Sequence, residues 1–478
     1  MKLRKASSIV VSIAAAVVVA ACGGSAPSTN AADQTGTLTV WLMNGSAPAS
    51  VIDSVNADFK AKYPNVTVKV ELQQWGDIGT KLDTAFVGST PPDVVELGNT
   101  LVAKYAAAGA LEDIGGKKSS FANSGTWLQS LTDSCTVSKK LYCVPYYAGS
   151  RAIIYRKDFF AAANVQPPDS MDGLLTVGQK LMAAHSSDPN FSALYYPGKY
   201  WYAALPFIWD FGGDIATQSG GKWQGSLNSS SSQQGLNTLT NLVTTLSRAD
   251  KTGDEAKQDA AFAQGHVAMI VANGWEVGVI TDKKAGDPTL TDKLGAFPIP
   301  SHNSGKTAPV FLGGSDLGVA AKSQHLALAN EWVAMLTGNK HMAEMATVGG
   351  VIPNNTSMLD LGTGINATFY GAAKNSKFVP NSQNWASVEN ANVIPDMLVK
   401  IFTKQQNIAD ATKAASDRIT TLLNGGGSYV NRGLHVFTLR WGRVYALEEF
   451  QDSQEAARGL AAQAAAGLKE AVAQPIVS

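Results

Sequence analysis

The sequence predicts an α/β fold built around a parallel sheet, and two observations support this prediction. Between residues 38 and 98, short apolar runs alternate with stretches of helical spacing in the order β-α-β-α-β. Such an alternation is typical of parallel strands joined by helices that cover the sheet. The same alternation resumes after residue 149, and a chain of 478 residues is long enough for two domains.

Residue spacing defines the first five elements. Val51, Val55 and Phe59 recur at helical spacing, and Pro64 ends that helix. The run VTVKVEL alternates as a half-buried strand does. In chain order, the predicted elements are a strand in LTVWLM, a helix over residues 49–63, a strand in VTVKVEL, a helix over residues 78–87 and a strand in DVVEL.

The pattern continues through the middle of the chain. Trp332 shares the apolar face of one predicted helix with Leu336, so we expect it in the core. Strands are predicted in GSRAIIYR, HVAMIV, KLGAFPIP and SDLGVAA, and helices in MDGLLTVGQKLMAAH, SSSQQGLNTLTNLVTTLSRA and residues 325–337.

The first residues resemble the signal of a bacterial lipoprotein. Cations near the start precede an apolar run that is too short to cross a bilayer, which takes about 20 residues. The run ends in VAAC, where such signals are cut and the cysteine is lipidated. We therefore expect a signal peptide over residues 1–21, a lipidated Cys22 and a flexible, small-residue tether over residues 22–37. The alternative is an ordinary signal peptide with an incidental cysteine at the cut.

The two other cysteines predict a disulfide. Cys135 and Cys143 flank a polar turn between two short β-like runs, so a hairpin would bring their thiols together. In an exported protein a disulfide is the default interpretation, and two free thiols are the alternative. A metal site is not expected, because no His or further Cys lies nearby in the sequence.

Composition and motifs exclude several functions. Charged residues make up 16% of the chain and the formal net charge is zero, so no basic excess exists to bind nucleic acid. The six histidines form no zinc-type pair, and neither a Gly-x-Ser-x-Gly elbow nor a phosphate-binding Gly-x-x-x-x-Gly-Lys loop occurs. We expect no catalytic residues, cofactor or metal, although folding could still assemble two carboxylates into a glycosidase pair.

Aromatic residues beside Gly, Asn or Asp are the positive feature of the sequence. They occur in YWYAALPFIWDFGGD, ANGWE and NSQNWASVE, which we interpret as loops. An indole can cover the apolar face of a sugar ring while polar side chains bind its hydroxyl rim. Core packing is the alternative for each ring. Trp275 and Trp385 follow Gly and Asn, so we favour both as sugar contacts.

Several segments, in order along residues 38–423, form a recognisable set. They are TLTVWLMNGS, FKAKYPNVTVKVELQQW, TPPDVVELGNT, VPYYAGSRAIIYRKDFF, FGGD, AMIVANGWE, FLGGSD and GGVIPNN. Together they resemble extracellular solute-binding proteins of family 1, the maltose-binding-protein-like components that capture sugars for ABC importers. VWLMNGSAP, VELGNT and VPYYAGSR are most similar to the actinobacterial branch that binds N,N′-diacetylchitobiose and similar oligosaccharides.

The resemblance implies a two-lobed periplasmic-binding-protein-like fold of type II, with a hinge and an interlobe cleft. Residues 38–148 and 302–352 would form lobe 1, and residues 149–301 and 353–427 would form lobe 2. Closure about the hinge would bury the ligand, and only the closed, loaded form would suit the permease.

The resemblance also implies ligand-binding positions at strand ends and in loops. Trp275 and Glu276 match a stacking position of the family, and Gly313, Gly314 and Ser315 match a loop whose backbone amides can face the sugar. The full set is Asn44, Gly45, Gln74, Trp75, Glu96, Asn99, Arg151, Trp209, Asp214, Trp275, Glu276, Gly313, Gly314, Ser315 and Trp385.

The last segment departs from the family. Residues 428–478 resemble the closing strands and final helix of a SnoaL-like domain, of which only a fragment is present. HVFTLRWGRVYALEEFQ alternates like two strands around Trp441, and an Ala-rich helix follows. We expect this tail to pack weakly or not at all, so that binding survives its removal near Gly425.

The predicted function is therefore capture of a sugar or oligosaccharide outside the cytoplasm. The protein would act as a lipid-anchored monomer without enzymatic activity and would deliver its ligand to the membrane subunits of an ABC importer. Two alternatives remain. A surface-anchored glycoside hydrolase would share the export signal, aromatics and carboxylates, and an adhesive or structural lipoprotein would bind no sugar.

Overall fold

The computed structural model of the protein describes residues 34–425 in full and, beyond them, only the backbone of residues 433–440 and 443–451. Cys22, the predicted signal peptide, most of the predicted tether and the predicted Ala-rich helix of the tail lie outside the described residues. None of the described helices is long and apolar enough to be a membrane span.

Strands and helices alternate over most of the described chain. The strands are β1 (Gly36–Met43), β2 (Val66–Gln73), β3 (Val94–Gly98), β4 (Thr136–Val137), β5 (Lys140–Leu141), β6 (Val144–Gly149), β7 (Arg151–Arg156), β8 (Ala216–Ser219), β9 (Lys222–Gly225), β10 (Met269–Asn273), β11 (Leu294–Phe297), β12 (Val310–Phe311), β13 (Gly313–Val319), β14 (Ile352–Pro353), β15 (Ser376–Lys377), β16 (Gly433–Arg440) and β17 (Arg443–Gln451). The helices are α1 (Ala49–Lys62), α2 (Ile78–Val87), α3 (Val102–Ala107), α4 (Gln129–Cys135), α5 (Lys157–Ala162), α6 (Met171–Ala184), α7 (Leu205–Asp210), α8 (Ser230–Leu246), α9 (Gln258–Ala263), α10 (Glu276–Ile280), α11 (Leu326–Leu336), α12 (Asn339–Gly349), α13 (Asn366–Ala372), α14 (Trp385–Asn390), α15 (Val393–Phe402) and α16 (Ile408–Leu423).

The first lobe, as we define it here, is a six-stranded sheet with the helices packed on it. The strand order is β14-β6-β13-β3-β1-β2, and β1 pairs in parallel with both β2 and β3, as predicted. β13 is antiparallel to β3 and β6, and β14 is antiparallel to β6. The predicted parallel pairing of the first three strands is therefore confirmed, and two later strands, β13 and β14, add antiparallel pairs to the same sheet.

The core of the first lobe joins the sheet to α1 and α11. Phe59 and Trp332, one from each helix, have no exposed surface. The indole Nε1 of Trp332 donates to Oδ1 of Asn56 at 2.9 Å, which satisfies its polar atom inside the protein. The predicted core position of Trp332 is confirmed.

The second lobe consists of the antiparallel sheet β10-β7-β11 and a larger group of helices. Its main core includes side chains of α6, α7, α8 and α14 to α16. α6 and α8 begin after Ser170 and Ser229, whose hydroxyls accept the backbone N–H of Gly173 and Ser232 at 3.1 and 3.2 Å. Such a cap typically stabilises a helix by about 1 kcal/mol.

Cys135 and Cys143 are joined by a disulfide, with their Cα atoms 5.0 Å apart. β4 and β5 form the expected antiparallel hairpin between them. Ser138 and Lys139 make the turn with φ angles of 50° and 66°. Both cysteines are fully buried in the core of the first lobe.

The chain after residue 425 contains the two predicted strands, β16 and β17, which pair antiparallel. Trp441, between them, lies outside the described residues. The SnoaL-like character of the tail and the lobe boundaries at residues 148, 302 and 352 stay predictions. At the other end, β1 begins at Gly36, two residues before the predicted start of the strand at Leu38, so the last two residues of the predicted tether belong to the strand.

Candidate functional site

One edge of the six-stranded sheet gathers most of the predicted ligand-binding positions. The parallel strands β1, β2 and β3 end there, and the residues that follow them are Asn44, Gln74 and Asn99. β13 begins at the same edge, since Ser315 lies opposite Gly98. In open α/β sheets, ligands bind at the carboxyl ends of the strands, so this edge, which we call the strand-end edge, is the candidate site.

Two tryptophans at the strand-end edge are exposed. Trp75 follows β2 and has 45% of its surface exposed, and Trp275 precedes α10 and has 41% exposed. Each ring covers a glycine of the sheet. Cζ3 of Trp75 lies 3.5 Å from the position that a Cβ on Gly98 would occupy, so this ring is in ordinary contact with the backbone.

Trp275 is in still closer contact with the strand below it. A Cβ on Gly149 would lie 2.3 Å from Cζ3 of its ring, a distance that real Cβ atoms do not adopt. Gly149 is the last residue of β6 and pairs with Gly313, whereas Gly98 pairs with Ser315. Trp75 therefore contacts β3 and Trp275 contacts β6, the two strands that flank the start of β13. We name the space between the two rings the indole groove.

The backbone between the two indoles is held by its neighbours. Gly314 has a φ of 147°, and a Cβ there would lie 2.2 Å from the carbonyl oxygen of Tyr147. Nδ2 of Asn99 donates to the carbonyl of Leu312 at 3.0 Å, and Oγ of Ser315 donates to the Tyr147 hydroxyl at 3.3 Å. Asn99 and Ser315 are both buried, so their hydrogen bonds hold the backbone between the two indoles in place.

Glu96 fixes the loop after β1. Its Oε2 accepts hydrogen bonds from the backbone N–H of Met43 at 2.8 Å and from Oγ of Ser46 at 2.7 Å. Between these two residues, Gly45 takes the left-handed conformation with a φ of 85° that the turn requires. Burial raises the pKa of Glu96 to about 7, against the effect of its hydrogen bonds. Glu96 therefore supports the loop that carries Asn44 and Gly45.

Glu276 has the same role beneath Trp275. Its Oε1 accepts the backbone N–H of Asn273 and its Oε2 accepts Nε2 of Gln258, both at 2.8 Å. Burial raises the pKa of Glu276 to about 7, while these hydrogen bonds and the charge of Arg151 lower it. The carboxyl thus ties the turn that presents Trp275 to the end of β10.

The chain has recognisable relatives. Residues 44–343 match the family described as bacterial extracellular solute-binding protein. This chain belongs to that family. Over 412 residues it is 33% identical to the diacetylchitobiose-binding protein DasA of Streptomyces coelicolor, a match that covers 83% of this chain and 93% of the relative. Over 347 residues it is 24% identical to a lactose-binding protein of Rhizobium radiobacter, covering 67% and 76% of the two chains.

Solved structures share the fold of this solute-binding protein. The GacH receptor of Streptomyces glaucescens superposes with a TM-score of 0.71 at 21% identity, covering 82% of this chain and 99% of the receptor. The sugar-binding protein MalE of Xanthomonas citri gives 0.72 at 21% identity, covering 82% and 98%. The predicted two-lobed α/β fold of type II is confirmed by these likenesses.

The second-lobe residues of the solute-binding protein differ from the expectation. Trp209 lies in α7 and Trp385 begins α14, so the prediction that both lie in loops is wrong. They are 4% and 1% exposed and belong to the second-lobe core. Nε1 of Trp209 donates to Oδ1 of Asp214 at 3.1 Å, and Lys377 lies 3.4 Å from the other carboxylate oxygen of Asp214. Both indoles are buried because their helices pack against the rest of the lobe.

Arg151, the first residue of β7, is 6% exposed. Its Nε donates to the hydroxyl of Tyr200 at 2.9 Å. The guanidinium carbon lies 4.7 Å from the ring centre of Tyr202 and 5.8 Å from that of Phe311. Arg151 is therefore enclosed by aromatic rings beside the connection between β6 and β7.

Sequence reasoning missed a contact between the lobes. Oγ1 of Thr100, which follows β3, donates to Oε2 of Glu389 at 3.1 Å. The Tyr202 hydroxyl approaches Oε1 of the same carboxyl at 3.5 Å, and burial raises the pKa of Glu389. The one available signal was the position of Glu389, a helical turn after Trp385. Glu389 lies 289 positions from Thr100 and 187 positions from Tyr202, and sequence spacing does not reveal contacts over such separations.

One group of possible metal ligands occurs within residues 34–425. It consists of Cys135, Cys143 and Asp316, whose ligand atoms lie within 4.8 Å of one another. Since the two cysteine sulfurs are bonded to each other, they are not thiolate ligands. Asp316 instead accepts a hydrogen bond from Oγ of Ser134 at 2.8 Å.

Proposed function

We propose that this solute-binding protein captures a sugar or oligosaccharide in the indole groove and delivers it to the membrane subunits of an ABC importer. The observation that carries the proposal is the pair of exposed indoles, Trp75 and Trp275, at one edge of the sheet. Exposed aromatic faces with polar groups between them suit a ring that has one apolar face and a hydroxyl rim. Two relatives are named as diacetylchitobiose-binding and lactose-binding proteins, which supports a disaccharide or longer ligand for this protein.

The ligand would be held by three kinds of contact. Trp75 and Trp275 would cover the apolar faces of sugar rings, and the backbone from Gly313 to Ser315 would meet a ring edge between them. Asn44 and Gln74 are exposed at the same edge and could bind hydroxyls. Because Asn99 and Glu96 are already committed to backbone partners, their role would be to position these contacts.

Closure would bring the second lobe onto the bound sugar. The hydrogen bond from Thr100 to Glu389 joins the two lobes and would form as the cleft closes. A ligand that touches both lobes shifts the population toward the closed form in proportion to its preference for that form. We propose that the permease recognises the closed form.

The protein would work outside the cytoplasm, as its family does, attached to the membrane through a lipid on Cys22. The residues after Cys22 would serve as a tether, and the protein would act as a monomer. Globomycin-sensitive processing and incorporation of labelled palmitate would support the anchor. Loss of both in Cys22→Ala, with export retained, is the expected result.

We also propose that the protein has no hydrolase activity. Glu96 and Glu276 have raised pKa values, which a glycosidase could use, but each carboxyl is buried and bonded to backbone N–H groups. Incubation with N,N′-diacetylchitobiose, lactose and maltose should release no new reducing ends. Release of reducing ends that Glu276→Gln abolished would establish the hydrolase alternative.

Calorimetric titration of the purified protein with the same saccharides tests the central proposal. At least one should bind and change tryptophan fluorescence. Trp275→Ala should weaken that binding, whereas Trp223→Ala, which removes a half-buried indole from β9, should leave it unchanged. Absence of heat and of any fluorescence change with every saccharide would refute the proposed function and favour an adhesive or structural lipoprotein.

A further inference from the structure

An asparagine of the second lobe donates two hydrogen bonds to the first lobe. Nδ2 of Asn381 donates to the backbone carbonyl of Asp133 at 2.6 Å and to that of Thr136 at 2.9 Å. Asn381 lies 248 and 245 positions from these residues in the chain, so only the fold brings them together. We call this pair of hydrogen bonds the interlobe clasp.

The first-lobe side of the interlobe clasp is held by the disulfide. Asp133 lies in the last turn of α4, where the helix does not use all of its carbonyls. Cys135 lies between the two acceptor residues and is joined to Cys143, which immediately precedes β6. The same strand ends at Gly149, which the ring of Trp275 contacts. The acceptor carbonyls are therefore tied to a strand that borders the indole groove.

The second-lobe side of the interlobe clasp is held by the core. Val379 and Trp385, on either side of Asn381, are 3% and 1% exposed and belong to the second-lobe core. Glu389, one helical turn after Trp385, accepts the hydrogen bond from Thr100 of the first lobe. The first lobe therefore contacts this segment at two places, at Asn381 before α14 and at Glu389 within it.

The chain passes from one lobe to the other near the interlobe clasp. Both residues of β12 belong to the second-lobe core, whereas β13, which starts at Gly313, belongs to the first-lobe sheet. β12 pairs with β15, and Oγ of Ser376 in β15 lies 3.1 Å from Oγ of Ser130 in α4. A rotation of the lobes about this crossing would change the distance between Asn381 and α4, which the interlobe clasp holds.

The interface around the interlobe clasp is not closely packed. A cavity of about 480 Å³ lies beside it, and the lining includes Thr136 and Ser138 of the disulfide hairpin and Asn381 and Asn384 of the second lobe. Because Asn381 is also exposed, its hydrogen bonds add little to the stability of either lobe. They form in one arrangement of the lobes and not in another, so they bias the equilibrium between the two.

We propose that Asn381 is a positioning residue for saccharide capture. Its interlobe clasp stabilises the closed arrangement of the lobes from outside the indole groove, and the disulfide acts through the same clasp by holding the two acceptor carbonyls. The expected effect on affinity rests on the proposed function, whereas the expected effect on the shape of the protein depends on no ligand.

Calorimetry and small-angle X-ray scattering on the purified protein test this inference. Asn381→Ala should weaken saccharide binding by about three- to fivefold, the effect of losing two exposed hydrogen bonds, and should raise the saccharide dissociation rate by a similar factor. If the closed arrangement is populated without ligand, the radius of gyration of the ligand-free variant should also rise. Urea unfolding should match that of the parent, which the loss of a merely structural residue would not allow.

Asn384→Ala is the matched control. Asn384 lines the same cavity, and its Nδ2 donates to the backbone carbonyl of Leu423, the last residue of α16, at 3.1 Å. This hydrogen bond lies within the second lobe, so its loss should change neither affinity nor scattering. Asn381→Asp, which places an acceptor against two carbonyl oxygens, should weaken binding more than Asn381→Ala does.

A double-mutant cycle tests the role of the disulfide. Cys135→Ala/Cys143→Ala should weaken saccharide binding in the parent but add less than about twofold in Asn381→Ala, because both changes act on the same two carbonyls. Equal losses in the two backgrounds would overturn this role of the disulfide. If the cysteine variant does not fold, the Asn381 variants decide the matter.

The possible results separate this inference from the proposed function. A folded Asn381→Ala protein with parental affinity and parental scattering would overturn the inference while sugar binding stood. Equal losses in Asn381→Ala and Asn384→Ala would also overturn it, because the effect would then belong to the shared cavity. If the parent binds no saccharide, the proposed function fails, and the scattering of ligand-free Asn381→Ala alone decides the role of the interlobe clasp.

Discussion

Trp275 and Trp385 have similar sequence contexts but opposite environments. Each follows a small or polar residue in a stretch that resembles a loop, yet Trp275 is 41% exposed and Trp385 is 1% exposed. Two ring atoms of Trp275, Cζ3 and Cη2, lie 2.3 and 2.6 Å from the position that a Cβ on Gly149 would occupy. Trp385 starts α14 and is enclosed by the second-lobe core, with its ring 6.1 Å from that of Trp201. Flanking residues therefore do not tell which indole is available to a ligand.

What separates the two is the surface beneath the ring. Trp75 repeats the arrangement of Trp275, because it too covers a glycine, Gly98, at the strand-end edge. Because glycine has no Cβ, each indole can approach the strand backbone closely while part of the ring stays exposed. A helix such as α14 instead turns its apolar side chains inward, so that Trp385 is covered on both faces.

The largest expected effect is on the free energy of unfolding, which should differ between variants of the buried and the exposed indole. Trp385→Ala should lower the free energy of unfolding by about 3–5 kcal/mol, since it leaves a large cavity in the core. Trp275→Ala should lower it by less than about 1 kcal/mol, because 41% of its side chain is already exposed to solvent. Urea unfolding followed by circular dichroism measures both. Equal losses in the two variants would contradict the comparison.

The carboxyl beneath Trp275 gives the next largest effect. The folded pKa of Glu276 is about 7, above its ordinary value, so the folded protein binds more protons than the unfolded chain between about pH 4.5 and 7. The contribution of this group to the free energy of unfolding should fall by on the order of 3 kcal/mol as the pH rises through that window.

Glu276→Gln is the matched variant, because it keeps an acceptor for the N–H of Asn273 and cannot ionise. Its free energy of unfolding should depend less steeply on pH than that of the parent between pH 4.5 and 7. Glu71→Gln alters a half-buried carboxylate whose pKa is lowered by its hydrogen bond with Lys69, so it should leave the slope in this window unchanged. Identical slopes for the parent and Glu276→Gln would show that the carboxyl titrates normally.

The elements of the fold that could be predicted from sequence are those with local signals. The helix Ile78–Val87 has the predicted bounds, because its apolar spacing is complete within one segment. The direction of β13 could not be predicted, since it depends on Ser315 pairing with Gly98, more than 200 residues away. Parallel pairing was inferred from strand–helix alternation, which carries no information about a strand that re-enters the sheet late in the chain.

The candidate site could likewise be predicted only where it depends on local sequence and on the order of the elements. Asn44, Gln74 and Asn99 follow parallel strands, so their common edge follows from the order of elements. The support that Glu96 gives to the Met43 turn and the contact of Thr100 with Glu389 are long-range contacts that one sequence does not encode locally. Trp385 resembled a loop residue because Asn and Gln precede it, although Trp385 and Val388 form the buried side of a helix.

A smaller effect is expected on saccharide affinity, and it compares the two exposed indoles with each other. Trp75→Ala and Trp275→Ala should each weaken saccharide binding by about tenfold, the effect of losing an aromatic contact worth 1 to 1.5 kcal/mol. Calorimetry with N,N′-diacetylchitobiose measures both. If one variant binds like the parent, its indole lies outside the binding site. The site would then have to be placed at the other indole.

The smallest effect comes from the glycine under Trp275. In Gly149→Ala the new methyl group would collide with the ring, which lies 2.3 Å from the Cβ position. The indole should tilt away, and saccharide affinity should fall by a few fold although no aromatic group is lost. Gly45→Ala is not a suitable control because of its positive φ, whereas Gly76→Ala meets no neighbouring atom and should bind like the parent. If Gly149→Ala binds the saccharide with parental affinity, the position of the Trp275 ring against β6 does not affect binding.

The central claim is that the space between Trp75 and Trp275 is the sugar site. Its most direct test is calorimetric titration of the double variant Trp75→Ala/Trp275→Ala with the saccharide that the parent binds best. We predict that the heat of binding disappears while urea unfolding stays close to that of the parent. A stably folded double variant that bound the saccharide with parental affinity would contradict the account.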